Sequence, residues 1–169
     1  MALRLVEQLR FARSEFQRSL AGISDEEARK RVLPMNSISW MIGHMAWQEQ
    51  RYFVTLGQGK VVAPRVNELT ANGGPPSTPP LADMWSDWAE VTRAADTFLD
   101  DLTADKLTEH FMMNGRQVPE NIGTRILRTT YHYWFHNGEA QAVRQLLGHT
   151  DLPQFVGDIG DEAPYRPAE

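Results

Sequence analysis

Tyr131-His132-Tyr133-Trp134-Phe135-His136-Asn137-Gly138-Glu139 is the stretch on which the reading of this chain turns. It lies inside a longer helical pattern, about residues 120–147, where Ile122, Ile126, Leu127, Tyr133, Ala140, Val143, Leu146 and Leu147 carry the apolar face and Gly148 stands where a helix C-cap is expected. A spacing of four sets His132 and His136 on one helix face, a turn apart. Taken alone, the pair reads first as two imidazoles satisfied by hydrogen bonds in an aromatic helix, with two metal ligands as the alternative.

Working outward, the chain gives three more long helical patterns. Leu5, Leu9, Ala12, Phe16 and Leu20 step by three or four and predict a helix over about 2–20. Ser24 followed by Glu27 has capping-box spacing and starts a short helix that Pro34 ends. A second long helix runs from about Ser37, with Asn36 or Ser37 as N-cap, to Leu56, apolar over a wide arc, and Gly57 and Gly59 close it. Residues 57–80, rich in Gly and Pro, predict a long loop. Leu81, Met84, Trp85, Trp88, Val91, Ala95, Phe98 and Leu102 predict a third long helix over 81–102, followed by an irregular stretch through Pro119. Residues 150–169 form an expected extended tail beyond the helical unit 1–149, ordered if Phe155, Val156, Ile159 and Tyr165 dock. No strand is expected. The fold class is all-α: a four-helix bundle with one long connection.

The composition narrows the function. The 169 residues suffice for one domain with a full core, and the net charge of −5 with scattered Lys and Arg gives no nucleic-acid face. No apolar run approaches a membrane span, and the N-terminal Met-Ala-Leu-Arg-Leu-Val-Glu lacks the apolar core of a signal peptide, so the expected compartment is the cytoplasm. There is no cysteine, so disulfides, thiolate ligands and a cysteine nucleophile are excluded, and any thiol must arrive on a small molecule.

His44, in Asn36-Ser37-Ile38-Ser39-Trp40-Met41-Ile42-Gly43-His44-Met45-Ala46-Trp47-Gln48-Glu49, is the candidate third ligand. Three neutral histidines would leave a coordination position open, as catalytic metal sites do. These two segments resemble motifs of the DinB superfamily: the second-helix motif, and the H-x-x-x-H-x-G-[QE] motif carried by His132, His136, Gly138 and Glu139. Val143 to Gly148 fits the usual end of that family's last helix. The resemblance implies a four-helix bundle, a homodimer, and a divalent transition-metal site, zinc or nickel first, held by His44, His132 and His136. It further implies relatives that transfer low-molecular-weight thiols or isomerise maleylpyruvate with mycothiol, acting on small-molecule substrates.

Other residues are candidates around that site. Glu139, about 60° from His136 on an ideal helix, could accept from a ligand imidazole, act as general base, or be a solvated or paired carboxylate. Gln48, one turn after His44, points inward, whereas Glu49 is off that face and suited to a salt bridge. Trp47 and Trp40 flank His44; core packing is the first reading for most tryptophans here, with one or two walling a pocket as the alternative, and Gln48, Arg128 and Trp47 are the candidate substrate-binding residues. Arg128, Arg125 and Arg51 read as surface arginines, with an anionic substrate as the alternative. His110 and His149 read as surface residues. Three functions compete: thiol transfer, hydrolysis by activated water, and non-catalytic binding of metal or a small ligand in a stress response.

Overall fold

The computed structural model describes residues 3–154 and 156–166. Among the described residues, seven α-helices and one small hairpin follow one another: α1 (Arg4–Leu20), α2 (Asp25–Arg29), α3 (Ile38–Glu49), a π-helical continuation of α3 (Gln50–Leu56), α4 (Pro64–Leu69), α5 (Leu81–Asp100), a 3-10 turn (Lys106–Thr108), β1 (His110–Met113), β2 (Arg116–Asn121), α6 (Ile122–Leu146) and α7 (Ile159–Glu162). The protein is mainly helical, as its periodicity predicts.

The long helices pack α1 on α6, α6 on α3 and α3 on α5. Phe16 against Trp85 joins α1 to α5 and closes the circuit. Leu9, Phe16, Met41, Met45, Phe53, Met84, Ile126 and Tyr133 fill the centre. Every residue of α3 except Trp47 is buried, which explains why its sequence is apolar all round rather than striped. Ser37 caps α3 by accepting from Trp40 N at 3.2 Å. The Ser24–Glu27 capping box forms as expected, with Glu27 N donating to Ser24 Oγ at 3.2 Å and Ser24 N to Glu27 Oε2 at 3.1 Å. α2 stops at Arg29, short of Pro34.

A polar network crosses this core. The Arg13 guanidinium grips Glu49 with both arms, one of them Nε to Oε1 at 2.8 Å, and reaches Asp96 at 2.8 Å. Tyr133 donates to Glu49 at 2.6 Å and accepts from Trp88 Nε1 at 2.8 Å. One carboxylate thus ties α1, α3 and α6 together, and Tyr133 carries the link to α5. Glu49 makes the expected salt bridge, but wholly buried.

Several expectations are corrected. The 57–80 connection contains α4, which begins on Pro64 in its first turn, where a missing N–H costs nothing. The stretch through Pro119 holds the hairpin. Asn114 and Gly115 have φ of 52° and 74° between Met113 and Arg116, the two-residue loop whose twist suits antiparallel strands. β2 then runs into α6, which starts at Ile122 and not Glu120, capped by Asn121 accepting from Thr124 N at 2.8 Å. Leu127 and Leu146, expected in the core, are exposed: Leu127 is turned about 100° from buried Ile126, and Leu146 is the last residue of α6. In the tail, Ile159 and Tyr165 are exposed and Phe155 lies outside the described residues. Polar contacts hold this segment to α1: Arg18 to Gln154 O at 2.6 Å, Gly157 N to Glu15 at 2.9 Å, Ser14 to Glu162 at 2.8 Å and Gln8 to Ala163 O at 3.2 Å. Among the described residues, no helix is long and apolar enough to cross a membrane.

Candidate metal centre

α3 contributes His44 and α6 contributes His132 and His136. The packing of α3 on α6 brings one ring nitrogen of each within 4.8 Å of the others. Ring centroids lie 5.0 Å (His44–His132), 5.3 Å (His44–His136) and 4.5 Å (His132–His136) apart.

Each ring is oriented through Nδ1 by a different acceptor. His44 Nδ1 donates to the Thr70 carbonyl at 2.8 Å. His136 Nδ1 donates to Glu139 Oε2 at 2.7 Å. His132 Nδ1 donates to Gln48 Oε1, whose amide also reaches Thr129 Oγ1 at 3.4 Å. A carbonyl, a carboxylate and an amide oxygen can only accept, so each Nδ1 carries a proton, and in the neutral ring that leaves Nε2 with the lone pair. That arrangement of outer acceptors is how proteins aim histidines at a metal.

The electrostatics favour the same state. Burial, the largest cause, pushes His44 down from 6.5 to about 4, with nearby His136 adding to it and the Thr70 contact opposing. Burial first, then His136 and His44, push His132 down to about 3. Both imidazoles are therefore neutral at physiological pH, the form that binds metal. Zinc–nitrogen bonds of ~2.0–2.1 Å set three tetrahedral nitrogens roughly 3.3 Å apart. The three rings fit a divalent ion after drawing slightly together.

Local sequence explains the positioning. Trp40 stacks on His44 at 4.4 Å and 12°, and Trp47 stacks on it at 5.2 Å and 22°. Gly43 lets α4 and α5 approach: a Cβ there would strike Met84 Sδ and lie 2.7 Å from Thr70 Cγ2. Gln50, fully buried, accepts from Val62 N and Ala63 N at 2.9 and 2.7 Å and so fixes the lead into α4, which delivers Thr70.

A cavity of about 760 Å³ opens beside the cluster, lined by His44 and His132 together with Trp47, Gln48, Arg128, Arg125, Arg51, Tyr52 and the apolar row Leu127, Tyr131 and Phe135. Glu139 touches the cluster through His136 and does not line this cavity. Arg128 does line it, half its side chain in solvent, and is engaged by Glu120, with Nε 2.9 Å from Oε1. Arg125 is not a surface residue: its side chain is 14% exposed, lies over the Tyr52 ring and donates to Tyr52 Oη at 2.9 Å. His110 and His149 are half-buried, the first bonded to Val118 O at 2.8 Å and the second to Glu27 at 3.1 Å, so neither is the surface residue expected and neither is near the cluster.

Sequence reasoning missed Thr70, because a backbone carbonyl leaves no mark in the residue type. It also missed the row Leu127–Tyr131–Phe135, whose spacing of four was itself a readable signal.

No curated protein matches the chain. The family model described as the DinB superfamily matches residues 8–140, a span that includes His44, His132, His136 and all three of their acceptors, and the chain belongs to that superfamily.

Proposed function

We propose that this protein is a divalent-metal-dependent thiol transferase built on a four-helix bundle of the DinB type, with α1, α3, α5 and α6 as its four helices. The carrying observation is that all three Nδ1 atoms are engaged by acceptors, which leaves three Nε2 lone pairs for one ion. His44, His132 and His136 would hold zinc or nickel. A bound ion would supply Lewis acidity at its open position, where a thiol or water loses its proton near neutral pH.

The chain's own residues prepare the rest. Thr70, Gln48 and Glu139 orient the ligands. Glu139 accepts from His136 Nδ1, so it is best placed as a positioning residue. Trp40 and Trp47 stack on His44 and shield its ring from water. Trp47, Gln48 and the row Leu127, Tyr131 and Phe135 offer a partly apolar wall to a small electrophile, while Arg128 and Arg125 bring positive charge. In the reaction, sulfur of a low-molecular-weight thiol bonds to an electrophilic carbon, the leaving group departs with its electron pair, and the thiol proton passes to solvent.

The test is elemental analysis of the purified protein beside the His44/His132/His136 triple alanine variant, then assays of the loaded protein. Mycothiol, bacillithiol and glutathione are each offered with a chloronitrobenzene. About one metal equivalent, lost in the variant, with chelator-sensitive thiol transfer is the expected result. Turnover of esters or lactones without thiol would make it a hydrolase instead. Bound metal without turnover of either kind would leave a metal- or ligand-binding protein and overturn the transferase reading.

A further inference from the structure

The metal cavity is not alone. A second cavity of about 580 Å³ lies against the β1–β2 hairpin and shares Arg51, Tyr52 and Arg125 with the first. The hairpin adds Asn114, Arg116 and Gln117 to its lining. No carboxylate lines either cavity among the described residues.

The charges there are unevenly matched. Arg51 has no acidic partner among the described residues and stacks between Trp47 and Tyr52, at 5.6 and 5.5 Å. Arg116 likewise has no acidic partner among them. Glu120 alone answers Arg125 and Arg128, 3.0 Å from Arg125 Nε. Four guanidinium groups therefore face one carboxylate, on a chain whose net charge is −5. Arginines spread for solubility would not converge on two adjoining hollows. Planar guanidinium forks suit carboxylate and phosphate oxygens, and Tyr52, wedged between Arg51 and Arg125, limits their freedom to turn away.

The π-helical turn contributes to this. It continues α3 past Glu49 without a break, so the ligand-bearing helix itself carries Arg51 and Tyr52 to the boundary between the two cavities. Such turns recur at functional sites.

We infer that the hairpin cavity is an oxyanion subsite that grips a carboxylate or phosphate of the ligand through Arg51 and Arg116, with Arg125 at the boundary, while the other end of that ligand reaches the three histidines. The metal end of this statement rests on the function proposed above; the anion end does not.

The experiment titrates the full chain, as purified and again after chelation, with adipate and separately with inorganic phosphate. Heat and arginine side-chain NMR signals are followed, and circular dichroism checks the fold after chelation. Wild type is compared with Arg51→Gln/Arg116→Gln and with Arg93→Gln, an exposed arginine on α5. The expected result is binding by both forms, at least tenfold weaker in the double variant and unchanged in Arg93→Gln. Preference for adipate assigns the subsite to carboxylate, and preference for phosphate assigns it to a phosphorylated ligand. Equal affinity in wild type and double variant, or no binding by the chelated chain, overturns the inference. Because the chelated chain is read directly, a protein that proves to hold no metal would sink the proposed function and leave this result standing.

Discussion

Thr70 packs against Gly43 so closely that a Cβ at position 43 would lie 2.7 Å from its Cγ2, and the carbonyl of that same Thr70 orients His44. One missing methyl group thus governs both the approach of α4 to α3 and the aim of a ligand.

Gly43→Ala is accordingly expected to do two things. Overpacking should cost about 1–3 kcal/mol of stability. Displacement of Thr70 should weaken metal binding about tenfold, since outer-acceptor changes cost roughly 10–100-fold. Urea denaturation and competition with a chromophoric chelator measure the two effects. Wild-type affinity in a destabilised variant would separate Thr70 from the aim of His44.

The acceptors themselves can be removed one at a time. Gln48→Ala and Glu139→Ala should each weaken metal binding by about 10–100-fold. Glu139→Gln keeps an oxygen for His136 Nδ1 and should recover most of that loss, which a purely electrostatic role for the carboxylate would not allow. A chelator competition series on the three variants decides between them.

Acid should destabilise the metal-free protein over a defined range. His44 has its folded value depressed from 6.5 to about 4. Between those limits the unfolded chain takes up a proton that the folded chain refuses, so stability falls as pH drops through the window and levels below it. At ~1.4 kcal/mol per pH unit the full effect approaches roughly 3 kcal/mol. His132, depressed to about 3, extends the window downward. Urea titrations of chelated protein at several pH values between 7 and 4 should show a shallower decline in His44→Gln than in wild type. Identical slopes would count against a neutral, buried His44.

The Arg13–Glu49 pair offers a stability test remote from the metal. Arg13→Met leaves Glu49 buried without its counter-charge and should cost about 3–5 kcal/mol. Arg13→Met/Glu49→Leu removes both charges and should regain much of that loss, though Tyr133 then loses its acceptor. A double variant no better than the single would mean that the pair is worth more than the desolvation it demands.

Gly138 sits in the motif between His136 and Glu139, yet an added Cβ meets nothing within 4 Å, and its residue is exposed on α6. Gly138→Ala should raise stability by ~1 kcal/mol through helix propensity, with metal affinity unchanged. A loss of affinity or stability would show that something beyond this single chain requires the bare Cα.

What could be read from residues alone was whatever depended on periodicity. The apolar faces of α1, α3 and α5, the caps at Ser24 and Ser37, the flanking of His44 by Trp40 and Trp47, and the inward turn of Gln48 all follow from spacing along one helix. The gathering of His44 with His132 and His136 does not, because it depends on how α3 meets α6, and there the family resemblance supplied what spacing lacked. Thr70 entered the site through its backbone, and Arg13 and Tyr133 met Glu49 through the meeting of three helices, so no local pattern announced them. The hairpin differs: Asn114-Gly115 is a strong turn signal, overlooked because flanking Met112, Met113 and Arg116 show no clean alternation. Arg125 looked like surface because its charge was weighed without the Tyr52 ring that shelters it.

The division of ligands between α3 and α6 also has a consequence for biogenesis. His44 emerges from the ribosome early and His132 and His136 late, on the last long helix. Until α6 has emerged, the nascent chain offers one imidazole of the cluster, far too weak a hold by itself to capture an ion. A metal bound by these three residues would therefore not template the first helices; it would enter only once α6 is available to meet α3. Ribosome-bound chains stalled before residue 132 should retain no metal after washing, whereas released full-length protein should.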